Sequence, residues 1–302
     1  MRVLRTPDTR FEDLPDYPFA PHYVKVGGDE AGEALRLHYV DHGPRDGQIV
    51  IMMHGEPSWS FLYRHMISNV AAAGYRVLAP DLIGFGKSDK PSETSDYSYA
   101  RHFAWMSDWF TQMDVSGAVL FCQDWGGLLG LRLVAAFPER FAGVIAANTG
   151  LPTGEGTPSE AFTAWQKFSQ TVPEFPVGNI INGAAVTDLS ADIIAAYDAP
   201  YPDESYKAGA RIFPALVPTT PDQDGAAENR EAWKVLAQFD KPFLTCFSDQ
   251  DPVTGGGEKH FKRNIAGAND QPHQIVKGGG HFLQEDVHGE LSTIITDFMK
   301  AL

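Results

Sequence analysis

An aspartate between an apolar strand and an apolar helix is the first residue here whose setting suggests chemistry. In AVLFCQDWGGLLGLRLV an apolar run ends at Asp124, and Trp125, Gly126 and Gly127 lead into a second apolar run that stops before Pro138. Strand, tight turn and helix in this order form a nucleophile elbow, which lifts one side chain over the sheet edge. Small neighbours let strand and helix close. Gly126 and Gly127 are small enough after Asp124; Cys122 stands where the first glycine of such an elbow usually lies. A serine displacing a leaving group at saturated carbon would leave an ether, which water does not readily cleave. A carboxylate leaves an ester, which water does cleave. Asp124 therefore points to displacement at an sp3 carbon through a covalent alkyl-enzyme. An aspartate ahead of an apolar helix is also a good N-cap, and position alone does not choose between the two roles.

An ester on Asp124 needs a water activated by a base. His281 follows the last expected strand in IVKGGGHFLQED, where three glycines allow the ring to cross the sheet edge. An imidazole in that role needs an acid behind it to set its tautomer and stabilise its charged form. FLTCFSDQDPVTG offers Asp249 and Asp251. Asp251 is preferred because it lies further into the loop and Pro252 stiffens it. An oxyanion hole is expected from the backbone amides of Glu56, in MMHGEPSW, and Trp125. His54, in the same stretch, reads as a structural hydrogen-bonding residue.

These groups require elements that carry them to one edge. Eight short apolar or β-branched runs read as strands: HYVKV and LRLHYV as an opening hairpin, then IVIMMHG, YRVLAPD, AVLFCQD, GVIAANT, PFLTCFSD and HQIVKGG. Continuous apolar runs suit strands covered on both faces. Helical patterns alternate with them at 60–73, YSYARHFAWMSDWFTQM, GGLLGLRLVAAF and LSTIITDFMKAL. The alternation predicts an α/β fold with a mostly parallel eight-stranded sheet flanked by helices. Residues 151–234 break the rhythm with many prolines and short helical pieces: SEAFTAWQKFSQ, SADIIAAYDA, SYKAGARI and NREAWKVLAQF. They read as a helical cap inserted into a core made of residues 1–150 and 235–302. A cap over the carboxyl ends of the strands closes a pocket and excludes water.

The 302 residues are 43% hydrophobic and 21% charged, an ordinary globular composition, with a net charge of −15. So acidic a chain repels phosphate backbones, so no nucleic-acid partner is expected. The start, MRVLRTPDTRFEDLPDYPF, has no apolar core of a signal peptide. No apolar run approaches the length of a bilayer span, so no membrane partner is expected. Cys122 and Cys246 read as buried reduced thiols, which suits a cytoplasmic protein. No metal or organic cofactor is required by the chemistry above, and a monomer or small homo-oligomer is expected.

HGEPSW, APDLIGFGKSDKP, FCQDWGG, SDQDP and GGGHFLQED together resemble the haloalkane dehalogenases of the α/β-hydrolase superfamily, in the subfamily whose acid follows the seventh strand. The resemblance runs over nearly the full length. It implies the α/β-hydrolase fold and hydrolysis of a small halogenated hydrocarbon to an alcohol, with halide ion as the other product. It also implies that the Trp125 indole holds the leaving halide. Some members use an asparagine where this chain has Glu56, whose ionised side chain could not donate to a halide. The second donor is then expected from the cap, where Trp165 matches the family pattern better than Trp233. Trp59, Trp105 and Trp109 are assigned to packing. Epoxide hydrolases share the Asp-Trp pair and would use cap tyrosines, here Tyr197, Tyr201 or Tyr206, as ring-opening acids. A non-catalytic relative binding a small ligand in the same pocket is a third reading.

Overall fold

The computed structural model describes residues 1–28 and 34–302. Eight strands form one sheet: β1 (His22–Val26), β2 (Leu35–His42), β3 (Ile49–Met53), β4 (Arg76–Pro80), β5 (Ala118–Gln123), β6 (Phe141–Ala147), β7 (Phe243–Ser248) and β8 (Gln274–Val276). Their order is β8-β7-β6-β5-β3-β4-β2-β1. The pairings from β4 through β3, β5, β6 and β7 to β8 are parallel; β2 runs antiparallel to both β1 and β4. All eight strands read from the sequence are present in this sheet. Every residue of β5 and β7 is buried, as expected for strands covered on both faces.

The core helices are α1 (Arg64–Ala72), α2 (Tyr99–Gln112) and α3 (Trp125–Ala136). Between β6 and β7 come α4 (Glu160–Thr171), α5 (Val177–Ala184), α6 (Ala191–Asp198), α7 (Ala208–Leu216) and α8 (Ala226–Leu236); α9 (Glu258–Asn264) and α10 (Leu283–Lys300) follow. α1 packs on α10, and α3 packs on α2 and α8. α4 packs on α7, and α5 on α6. α8 is also tied to the core by Asn229, whose side chain donates to Pro152 O and accepts from Arg132. The far end of the inserted stretch is therefore anchored on α3.

Four elements depart from the sequence reading. Residues 60–63 are a 3-10 turn, and the α-helix starts only at Arg64. The last helix begins at Leu283, eight residues before the apolar periodicity suggests, and bends at Val287. α5 carries two glycines and lies behind Pro176, a composition of low helix propensity; packing on α6 makes it helical. α9 is too short and charged to show a period. Among the described residues, no helix is long and apolar enough to cross a membrane. Both cysteines are free and buried.

Candidate active site

The parallel strands β3, β5, β6, β7 and β8 end at one edge, and the segments leaving that edge carry the candidate groups. Asp124 sits between β5 and α3 with φ +51° and ψ −128°, a region that costs a non-glycine residue about 1–3 kcal/mol. Tight packing holds it there. A Cβ on Gly126 would lie 2.0 Å from Met53 O, and one on Gly127 1.9 Å from Thr149 Oγ1. Thr149 Oγ1 donates to Asp124 O at 2.7 Å. Cys122, in place of the first glycine, is fully buried against Ile145 O. Asp124 makes no side-chain cap bond to α3, which removes the N-cap alternative.

The two carboxylate oxygens of Asp124 have different partners. Oδ1 accepts the Glu56 amide at 2.7 Å, and Oδ2 lies 3.5 Å from His281 Nε2. Of the two amides expected to form an oxyanion hole, that of Glu56 is bonded to Asp124. The Trp125 amide is the first of α3 and makes no bond to this carboxylate. On the other side of the ring, His281 Nδ1 meets Asp251 Oδ2 at 3.0 Å. Asp251 also accepts from Val253 N at 2.8 Å and from the hydroxyl of Thr254. Asp249 is exposed and accepts from Gly278 N at 2.8 Å, so of the two acids it is Asp251 that contacts the imidazole.

Burial alone would push His281 down, but the charge of Asp251 and hydrogen bonds to Asp124 and Asp251 outweigh it and raise the imidazole. Burial would raise Asp251, and its proximity to His281 reverses this and lowers it to about 2. Burial, reinforced by repulsion from Asp124, pushes Glu56 well above the usual carboxylate range. The sequence reading treated Glu56 as ionised; desolvation instead drives it towards the neutral acid. His54 is buried and lowered by desolvation. Its Nε2 accepts from Leu82 N and its Nδ1 donates to Gly55 O, a structural role.

Sequence reasoning missed the support beneath His281. Asn148 Nδ2 donates to Ser248 Oγ, Gly280 O and His281 O, and its Oδ1 accepts from Ser248 N. Gln123 Nε2 also donates to His281 O, at 3.2 Å. The available signal was three polar residues ending or just following otherwise apolar strands, since a buried polar group needs a partner. Asp286 was missed too. Its carboxylate accepts from Gly280 N, next to His281, and from Val186 N and Thr187 N after α5. His281 N itself donates to Ala184 O at 2.8 Å. The histidine segment and the end of α5 are thus clamped to each other.

A cavity of about 820 Å³ lies over these groups, lined by Glu56, Asp124, Trp125, Trp165 and His281 among others. Trp125 is buried and braced by Phe213 and Tyr99 at ring-centroid distances of 4.4 and 5.3 Å. Trp165 is half-buried against Phe168 and Phe175, with its indole beside the Glu56 carboxyl. Trp233 does not line this cavity, and its indole N–H is already donated to Leu151 O at 2.8 Å. Trp59, Trp105 and Trp109 are buried in the core. No tyrosine among the described residues lines the cavity. Tyr197 is buried with its hydroxyl on Glu285, and Tyr201 is buried without lining the cavity. No group of three or more His, Cys, Asp or Glu among the described residues is arranged to hold a metal ion.

The alpha/beta hydrolase fold family matches residues 48–286. A haloalkane dehalogenase from Psychrobacter cryohalolentis (strain K5) is 54% identical over 99% of this chain and 98% of its own. The chain belongs to the haloalkane dehalogenase family. A second relative, the haloalkane dehalogenase from Mycolicibacterium paratuberculosis, is 47% identical over 100% of both chains. Among solved structures, the tetrameric haloalkane dehalogenase DpaA from Paraglaciecola agarilytica aligns with a TM-score of 0.88 at 36% identity, covering 97% of each chain. These family relations match what HGEP, QDWGG and GGGHFLQED imply in the sequence.

Proposed function

We propose that the chain hydrolyses carbon–halogen bonds of haloalkanes to an alcohol, a halide ion and a proton, through an ester formed on Asp124. Asp124 Oδ2 attacks the carbon that bears the halogen, in line with the departing halide. The Trp125 and Trp165 indoles donate their N–H groups to that halide, which they cannot protonate. The alkylated oxygen is Oδ2, so Oδ1 becomes the ester carbonyl, already bonded to the Glu56 amide. When water adds, negative charge grows on Oδ1, where the donor stands; the Trp125 amide is the second donor in this reading. Collapse releases the alcohol and restores the carboxylate.

The raised imidazole explains the order of the steps. In the free enzyme two carboxylates favour the charged form of His281. Alkylation turns Asp124 into a neutral ester and removes one of them. The ring then gives its proton to solvent more readily and becomes a base when the ester needs water. Asp251 stabilises the imidazolium formed in that step.

The observation that carries this reading is a carboxylate offering one oxygen to an amide and the other to a histidine, in a cavity with two indoles. The absence of a cavity-lining tyrosine among the described residues sets the epoxide reading behind it, since ring opening needs an acid. A single turnover in oxygen-18 water tests the ester: the label should enter Asp124 before it appears in product, and label in the first alcohol released would refute it. His281→Gln should accumulate an alkyl-enzyme with 1,2-dibromoethane, seen by intact mass. Bromide release without diol formation from styrene oxide separates the two enzymes, and silence on both favours a binding protein. Halide quenching of indole fluorescence should weaken in Trp165→Phe and persist in Trp233→Phe.

In this reading residues 151–234 form the cover, with α4 to α7 as its roof, over a core of residues 1–150 and 235–302. We further place the chain in the cytoplasm, where its two thiols stay reduced, as a monomer or small homo-oligomer. The relative DpaA is a tetramer. The net charge of −15 disfavours nucleic acid as a partner.

A further inference from the structure

A second cavity, of about 640 Å³, also reaches the nucleophile. Asp124, Trp125, Phe162, Val217 and Val253 line both cavities. The other groups assigned to water and halide, namely Glu56, Trp165 and His281, line the first cavity and not the second. The second cavity is further lined by Leu128, Leu151, Trp233 and Phe261, and by Thr153, Thr157, Glu155 and His260. Most of its wall is apolar, and Glu155 and Thr157 lie at exposed positions.

We infer that this second cavity is a subsite for the tail of the substrate, and that the chain takes haloalkanes with an extended, uncharged chain. The inference rests on the proposed hydrolysis at Asp124. In-line attack puts the carboxylate oxygen, the carbon and the halogen on one axis, so the remaining substituents on that carbon project sideways. A tail in the first cavity would occupy the space that water needs to reach the ester beside His281. A tail in the second leaves that space free, and the Trp125 and Trp165 indoles stay available to the halide. A cavity of this volume suits a ligand much larger than a two-carbon halide. Each methylene buried against its wall should raise kcat/KM about four-fold.

The test is a chain-length series of terminal bromoalkanes, from 1-bromopropane to 1-bromooctane, with bromide release as the readout. In the unaltered protein kcat/KM should rise along the series. Thr153→Trp places a large ring in the second cavity and should lower the octane-to-propane ratio at least ten-fold. Thr157→Trp, at an exposed loop position, should do the same and serves if the first variant fails to fold. Ile180→Phe, in the first cavity, should lower both substrates together and leave the ratio alone. A ratio unchanged by both tryptophan variants, or reduced by Ile180→Phe alone, overturns the subsite while leaving the hydrolysis intact. Bromide release from none of the series would overturn the hydrolysis and the subsite together.

Discussion

Two helices of twelve residues each bring an indole to the nucleophile, and they are held in opposite ways. α3 carries Trp125 and buries most of its length against the sheet, α2 and α8. α4 carries Trp165 and buries only Ser169. Its ties run sideways to α7, through Gln166 to Pro214 O and Gln170 to Arg211 O, and to the core through Ser159 and Val253 O at 3.4 Å. An element with few buried contacts opens at low free-energy cost, and one buried on several sides opens only with the whole domain. One indole is thus held by a helix buried on several sides, and the other rides on a helix with few buried contacts. A closed site that must admit a ligand and then exclude water needs one wall of each kind.

Four substitutions would break or sharpen this contrast, in descending order of expected effect. Gly127→Ala should be the most damaging, because its Cβ meets Thr149 Oγ1 within van der Waals contact. Overpacking of this kind typically costs about 1–3 kcal/mol and more where the backbone cannot shift; here it should exceed that range and abolish turnover. Denaturant melting checks it, and a stable, active variant would show that α3 is not rigidly held.

Asp286→Asn comes next. Hydrogen bonds to a charged acceptor contribute about 1.5–3 kcal/mol, and this carboxylate takes its three amides from both the histidine segment and the cover. The expected result is a ten- to hundred-fold slower hydrolysis of the alkyl-enzyme, with alkylation little changed. Rapid-quench measurement of the ester fraction reads this directly. Equal slowing of both steps would mean that Asp286 does not act through His281.

His102 lies behind the α3 indole, packed on Phe213, which in turn braces Trp125. Burial lowers it to about 3, and neither ring nitrogen has a partner. Between about pH 6.5 and 3 the unfolded chain binds a proton that the folded chain refuses, so stability falls as pH falls, by up to about 1.4 kcal/mol per unit. Above that window the contribution is constant. His102→Phe should flatten this part of the pH–stability curve, as followed by thermal melts at several pH values. An unchanged slope would mean that the ring is solvated or paired in solution.

Trp165→Phe should have the smallest effect on folding, within about 0.5 kcal/mol, despite its effect on halide. A large loss of stability would place α4 with the core rather than with the cover.

The same contrast governs how much of this protein is legible in its sequence. α3 announces itself because a helix buried on several faces is apolar along its length and starts at a turn with its own small-residue requirement. α5 does not, because two glycines and a preceding proline give little local preference and only contact with α6 makes it a helix. Asn148, Gln123 and Ser248 stand at the ends of strands that were correctly read, yet their shared task under His281 appears only when those ends converge. Asp286 looks like one more acid in a charged stretch until residues about 100 positions earlier lend it their amides.

By itself the sequence determined the alternation of strands and helices, the tight turn at Asp124 between a strand and a helix, and the chain order in which Asp124, Asp251 and His281 occur. These depend on local period, turn chemistry and the identity of single residues, which neighbours in the chain largely settle. The tertiary structure set Asp251 rather than Asp249 against His281 and Trp165 rather than Trp233 on the first cavity, moved Glu56 towards its neutral form, and opened a second cavity at Asp124. Those outcomes depend on which groups meet across the sheet edge and how little water remains between them. Burial and long-range contact exist only once the chain has closed on itself.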